Sequence, residues 1–168
     1  VLETERYGLL LFTCNRGEES MRQFGAQVSA KSFDGLLVIE PEGTLDYIAT
    51  LHARGLPVVL IDRKVRGVEY DSVLADNEGA AKEAVKRLTE AGHTKIGLIA
   101  GPQEIYTASA RNWGFQKAMM EAGLKLTDSM MVCGDYTIKG GARAMKQLHE
   151  THPDMTAVLI SNYEMTVG

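Results

Sequence analysis

The strongest constraint in this sequence is that several short hydrophobic runs are apolar on consecutive positions. Val58–Ile61, Ile96–Ala100 and Ala157–Ile160 are of this kind. A strand with one face in water alternates apolar and polar residues. A strand buried on both faces does not, and burial on both faces is the mark of a parallel sheet covered by helices. The full set of strand candidates is Tyr7–Phe12, Gly35–Ile39, Pro57–Ile61, Ser72–Ala75, Ile96–Ala100, Met130–Cys133 and Ala157–Ile160. Helical patterns fill the intervals at Glu18–Lys31, Thr44–Arg54, Asn77–Ala91, Thr107–Ala122 and Ile138–Thr151. Thr44 stands where an N-cap belongs, and Gly55, Gly92, Gly123 and His152-Pro153 stand at the helix stops. Strand, helix, stop and strand recur along the chain. That order predicts a βαβ series and an α/β fold with parallel strands.

Charge and length bound the function. The 168 residues hold 18 Lys and Arg against 22 Asp and Glu, for a net charge of -4. An acidic balance argues against this segment gripping DNA itself, which needs a basic face, and leaves open a DNA-binding segment outside the chain. The length suits one domain or two small lobes. The boundary candidate is Asp76-Asn77, after the turn-like stretch Arg63–Asp71, giving lobes 1–76 and 77–168. A simple loop within one sheet is the other reading. No apolar run is long enough to span a bilayer. Val1–Arg6 lacks the basic start and apolar run of a secretion signal, and the chain does not begin with Met. Two cysteines, Cys14 and Cys133, suit a reduced, cytoplasmic protein.

In open parallel sheets, ligands bind beyond the carboxyl ends of the strands. The residues expected there include Thr13, Cys14 and Asn15, then Asp62 and Arg63, the Gly101-Pro102-Gln103 loop, Gly134-Asp135-Tyr136, and Ser161-Asn162-Tyr163. Carboxylates and amides bind hydroxyls directionally, and an aromatic ring stacks on an apolar ring face. Arg111, Phe115, Ala118 and Ala122 fall on one helical stripe, which turns Arg111 toward the core. An inward Arg needs an anionic or hydroxyl partner, so it is either a structural ion pair or a ligand contact. His149 and His152 read as a solvated helix end rather than a metal pair, and His93 as part of a helix-stop turn. Lys139-Gly140-Gly141 either holds an anion or permits close packing. Met119, Met120, Met130 and Met131 read as core filler. No phosphate-binding loop, nucleophile elbow or zinc-protease motif is present, and no nucleophile with its base can be assembled. Neither a metal nor a cofactor is therefore expected.

The order of segments resembles a known family. It runs through Phe33–Val38, Val58-Val59-Leu60-Ile61-Asp62-Arg63, Val73–Ala80, Leu88, Glu90–Ile96, Ile99–Pro102, Ala110-Arg111-Asn112-Trp113-Gly114-Phe115, Gly134-Asp135-Tyr136 and Ser161–Met165 with Gly168. These segments look like the regulatory domain of LacI/GalR-family bacterial transcription repressors, over nearly the whole chain. The resemblance implies a periplasmic-binding-protein-like type I fold of two lobes, incomplete at both ends here. It implies a sugar- or purine-like effector in the cleft between the lobes, a homodimer, and DNA contact through a helix-turn-helix segment outside this chain. It implies no enzyme activity and no membrane. Position by position, Asp62 resembles the cleft carboxylate, with Arg63 beside it. Arg111 resembles the cleft arginine, Thr107 a cleft hydroxyl one turn earlier, Tyr136 the stacking aromatic and Asn162 the cleft amide. Tyr163 stands where the family usually has Asp, which either argues against sugar-hydroxyl recognition at that corner or points to a different ligand. The resemblance further implies that a first core strand precedes Val1 and would lie between the strands at Tyr7–Phe12 and Pro57–Ile61. The isolated segment is then expected to be poorly stable or to recruit a strand. Two other functions fit the same chain: a sugar-binding protein of an ABC transport system, and an α/β enzyme using the cleft.

Overall fold

The computed structural model describes residues 7–12, 33–39, 45–64 and 69–168. The chain divides into two compact units, Val1–Val73 and Leu74–Gly168.

In the first unit, β1 (Leu36–Val38), β2 (Val58–Ile61) and β3 (Asp71–Val73) form a parallel sheet in the order β1-β2-β3. The helix α1 (Leu45–Ala53) connects β1 to β2 and ends at Gly55, whose φ of 86° is the left-handed stop the sequence predicts. Ile48 of α1 packs with Val58 and Leu60, and Leu36, Val38 and Tyr70 close over them. The rings of His52 and Tyr70 meet in a T-shaped arrangement with centroids 5.1 Å apart.

This unit departs from the sequence expectations in four ways. Tyr7–Phe12 is described but is not a strand, and Leu11 is 76% exposed. A strand needs a ladder neighbour, and neither sheet among the described residues includes this segment. Leu37 and Ile39 are exposed, so β1 is not buried on both faces as consecutive apolar residues suggest. The third strand comes earlier than Ser72–Ala75, at Asp71–Val73, where register with Val59–Ile61 fixes it. The strand expected to be lacking beside Pro57–Ile61 is not lacking there, because β2 has β1 on one side and β3 on the other. Among the described residues, β1 and β3 are the two edges of this sheet. The helix expected at Glu18–Lys31, the Thr44 cap and Cys14 lie outside the described residues.

The second unit follows the sequence closely. It comprises α2 (Asn77–Glu90), β4 (Ile96–Ala100), α3 (Tyr106–Glu121), a 3-10 turn (Asp128–Met130), β5 (Met131–Cys133), α4 (Ile138–Thr151), β6 (Ala157–Ile160) and the short α5 (Tyr163–Val167). All strands are parallel, in the order β5-β4-β6. Each of the five residues of β4 is buried. Ile96, Leu98 and Ala100 pack with Val85, Phe115, Ala118 and Met119 from α2 and α3. Ile99 packs on the opposite side with Val132, Ala144, Leu148 and Met165. The consecutive apolar run thus has the cause the sequence suggests, a helix layer on each face.

Local chemistry sets the element ends. Asp76 Oδ1 accepts from Gly79 N at 2.8 Å to cap α2, and Thr137 Oγ1 accepts from Gly140 N at 2.9 Å to cap α4. Gly92 and Gly123 adopt φ of 89° and 66° at the stops of α2 and α3. His93 belongs to the first of these turns, its N–H bonding Leu88 O at 3.0 Å. Lys95 pairs with Asp154, joining the start of β4 to the turn before β6. Met119 and Met130 are core residues, while Met120 is exposed on α3. No helix among the described residues is long and apolar enough to cross a membrane.

Helices α2 and α3 pack closely at Gly114, where a Cβ would run into the backbone carbonyl of Glu78. Gly114→Val should therefore force the two helices apart and lower stability by about 1–3 kcal/mol, read as a shift in the urea midpoint of the whole protein. An unchanged midpoint would contradict this packing.

Candidate functional site

Strand register brings the polar residues of the second unit together. Ala100 pairs with Cys133, and Ile99 with Ile160, so the residues after all three strands emerge at one end of the sheet. Gly101 follows β4, Gly134-Asp135-Tyr136 follows β5, and Ser161-Asn162 follows β6.

Arg111 reaches this end from the second turn of α3. Its Nε donates to Asn77 Oδ1 at 2.7 Å and its Nη1 to the Ser161 carbonyl at 2.5 Å. Both acceptors are neutral, and among the described residues no carboxylate forms an ion pair with Arg111. The structural ion pair offered as one sequence reading is therefore not what holds it. An amide and a carbonyl accept its hydrogen bonds without supplying a compensating negative charge. Phe115 and Ala118 continue the stripe into the core, whereas Ala122 lies past the helix end and is exposed. Thr107, one turn before Arg111 on the same side of α3, is buried.

Tyr136 is one of two non-glycine residues with positive φ among those described, at 60°. Its ring lies over Gly101, where a Cβ would collide with Cε1, Cζ and Oη. The loop after β4 thus needs glycine because the aromatic of the next strand covers it. The Tyr136 hydroxyl is buried. Asn162 caps α5, its Oδ1 accepting from Met165 N at 3.1 Å, which leaves its amide NH2 directed elsewhere. Tyr163, at the position where the family usually has Asp, is 82% exposed. Ser161 is buried, and its Oγ makes no hydrogen bond among the described residues.

Two sequence candidates are occupied with other tasks. Asp135 accepts from Thr137 N at 3.0 Å, Thr137 Oγ1 at 2.6 Å and Arg143 Nη2 at 2.7 Å. Those Thr137 hydrogen bonds, helped by Arg143, hold its carboxyl below the usual carboxylate range. Asp135 therefore organises the entry to α4. Gly141 packs against the backbone of Met165 and Gly140 against the Asp135 carboxylate, so the Lys139-Gly140-Gly141 step serves close packing, with an acid already at its mouth. His152 Nε2 bonds Ser129 Oγ at 2.9 Å and His149 is exposed. No cluster of three or more His, Cys, Asp or Glu is placed to hold a metal among the described residues. Cys133 Sγ contacts the Gly101 carbonyl at 3.4 Å, and its thiol is pushed up by burial and then by the charges of Glu104 and Asp135.

In the first unit, Asp62 follows the end of β2 and has φ of 54°, with its N–H bonded to Val73 O at 2.7 Å. Arg63 beside it is half-buried. Left-handed backbone at a non-glycine residue costs free energy and concentrates at working sites. Asp62 and Tyr136 both carry it. The sequence did not reveal Asn77 and Ser161 as the partners of Arg111. They lie 34 and 50 residues away from it, and only the α2 start and the β6 tip bring them near.

Two parallel sheets flanked by helices make an α/β architecture of the kind in which ligands, when bound, lie beyond the carboxyl ends of the strands. The family model described as periplasmic binding proteins and sugar binding domain of LacI family matches residues 2–168, and the chain belongs to that family. It is 34% identical over 165 residues to the HTH-type transcriptional repressor PurR of Escherichia coli O1:K1, covering 96% of this chain and 48% of that protein. It is 28% identical over 164 residues to catabolite control protein A of Priestia megaterium, covering 97% and 49%. The solved transcriptional regulator CelR–cellobiose complex superimposes with a TM-score of 0.83 at 29% identity, covering 95% of this chain and 49% of that one. The chain thus spans about half the length of the curated relatives it matches. PurR and CelR are named as a transcriptional repressor and a transcriptional regulator.

Because the folded carboxyl of Asp135 is harder to protonate than the unfolded one, its contribution is complete above the ordinary carboxylate range and is lost as pH falls through the lower folded value. Thr137→Ala should cost about 1 kcal/mol at neutral pH through the lost cap. The gap from wild type should narrow below pH about 4 in thermal melts. A gap that widens on acidification would contradict this account.

Proposed function

We propose that this chain is the effector-binding core of a LacI-family transcriptional regulator. A small sugar or purine-like molecule binds between lobes 1–76 and 77–168 and controls DNA binding by a helix-turn-helix segment of the whole protein. Asp62 and Arg63 serve the ligand from one lobe, and Thr107, Arg111, Tyr136 and Asn162 serve it from the other. The observation that carries this reading is Arg111: a half-buried guanidinium at the carboxyl ends of β4 and β6 whose partners among the described residues are a neutral amide and a carbonyl. Such a group favours an electron-rich ligand oxygen. The positive φ of Asp62 and of Tyr136 supports the same reading, because strained backbone persists where a side chain must be aimed.

The mechanism is differential binding. A ligand that touches both lobes favours the lobe arrangement in which all its contacts are made, and that preference biases the DNA-binding heads of a cytoplasmic homodimer. The names of the relatives support the regulatory role, and the cellobiose in the CelR complex supports a carbohydrate-sized ligand. The family description also covers periplasmic binding proteins, so a transport role is the second reading. A basic helix-turn-helix in the whole protein selects the regulator, and a secretion signal selects transport.

The test is calorimetric titration of the whole protein with a panel of sugars and purines, followed also by fluorescence of Trp113, the only tryptophan. One ligand class should bind. Arg111→Ala should weaken it by about a hundredfold or more with the melting temperature little changed. Undiminished binding by a folded Arg111→Ala protein would refute the assignment.

A further inference from the structure

The bonds around Arg111 assign a role to a residue outside the proposed ligand set. We propose that Asn77 is a positioning residue that fixes the guanidinium of Arg111 before ligand arrives. This inference rests on the effector-binding reading above and deepens it.

Asn77 is the first residue of α2 and only 5% exposed. Its own amide is oriented from behind, because Nδ2 donates to Ala75 O at 3.1 Å. That bond settles which end of the amide faces Arg111: the oxygen does, accepting from Nε at 2.7 Å. The Ser161 carbonyl, itself set by the Ser161 N–H bond to Ile99 O at 3.0 Å, holds Nη1 at 2.5 Å. Two anchors on one rigid plane fix both its position and its tilt. The guanidinium fork formed by Nε and Nη2 has lost its Nε prong to Asn77, so Nη2 is the donor left for a ligand on that side. The arrangement therefore favours single contacts to hydroxyl or carbonyl oxygens over a two-pronged grip on a carboxylate or phosphate through that edge. A long side chain held in its bound rotamer loses less entropy when ligand binds.

Two substitutions separate positioning from scaffolding. Asn77→Ala removes both bonds. Asn77→Asp keeps an acceptor for Arg111 Nε but cannot donate to Ala75 O. Each is made in the whole protein, and the modification of Arg111 by phenylglyoxal is followed by peptide mass spectrometry, with no ligand needed. Positioning predicts slow modification in wild type and Asn77→Asp, and modification several-fold faster in Asn77→Ala. Equal acceleration in both variants would show that the Ala75 bond matters instead. Unchanged modification in a folded Asn77→Ala protein would also overturn the proposal. Cellobiose, ribose and adenine are titrated in parallel. Where wild type binds one of them, Asn77→Ala should weaken it about tenfold and add nothing in an Arg111→Ala background. A full additional loss in that background would overturn positioning. Where none binds, the effector reading fails for these probes, while the modification rates still decide the role of Asn77.

Discussion

The burial of β4 on both faces is the constraint on which the second unit depends. Ile96, Leu98 and Ala100 serve one helix layer, and Ile99 serves the other. Gly97 leaves space on its face for Met155, whose sulfur stands where a Cβ would go. A strand committed in this way cannot slip by one residue without exchanging its two cores. Its register then fixes β5 and β6, and with them the level at which Tyr136, Ser161 and Asn162 emerge. The candidate site is thus a consequence of the packing of a five-residue apolar run.

Around that end of the sheet, many polar groups hold one another rather than waiting for a ligand. Asp135 is spent on the start of α4, and Asn162 on the start of α5. The side chain of Gln103 returns to the Gly101 carbonyl at 2.6 Å and is tied to Asn112 at 2.7 Å. These bonds stiffen the loop between β4 and α3, from which Thr107 and Arg111 rise. What remains uncommitted includes part of the Arg111 guanidinium, part of the Asn162 amide and the Ser161 hydroxyl. Specific recognition of a small molecule needs only a few such groups held accurately.

Much of this was legible in the chain, and the reasons differ by element. Helices α2, α3 and α4 could be read because their helical patterns and their stops, Gly92, Gly123 and His152-Pro153, are local signals that act over a few residues. The bounds of β4 and β6 could be read from their unbroken apolar runs, buried at every position in β4 and half-buried at every position in β6. Tyr7–Phe12 misled because the same signature is written by any strand-like segment, and pairing depends on a neighbour that periodicity cannot name. The inward aim of Arg111 was visible from its stripe with Phe115 and Ala118. Its partners were not, since Asn77 and Ser161 meet it only through the fold. The left-handed backbone of Asp62 and Tyr136 left no mark in composition, as neither residue is the glycine that such a conformation usually advertises.

The most direct test of the central claim is a crystal structure of the whole protein with its bound effector. One molecule should contact both the Asp62 carboxylate and the Arg111 guanidinium, with Asn77 and Ser161 still holding Nε and Nη1. A ligand seated elsewhere, with those two side chains on separate outer surfaces, would contradict the account.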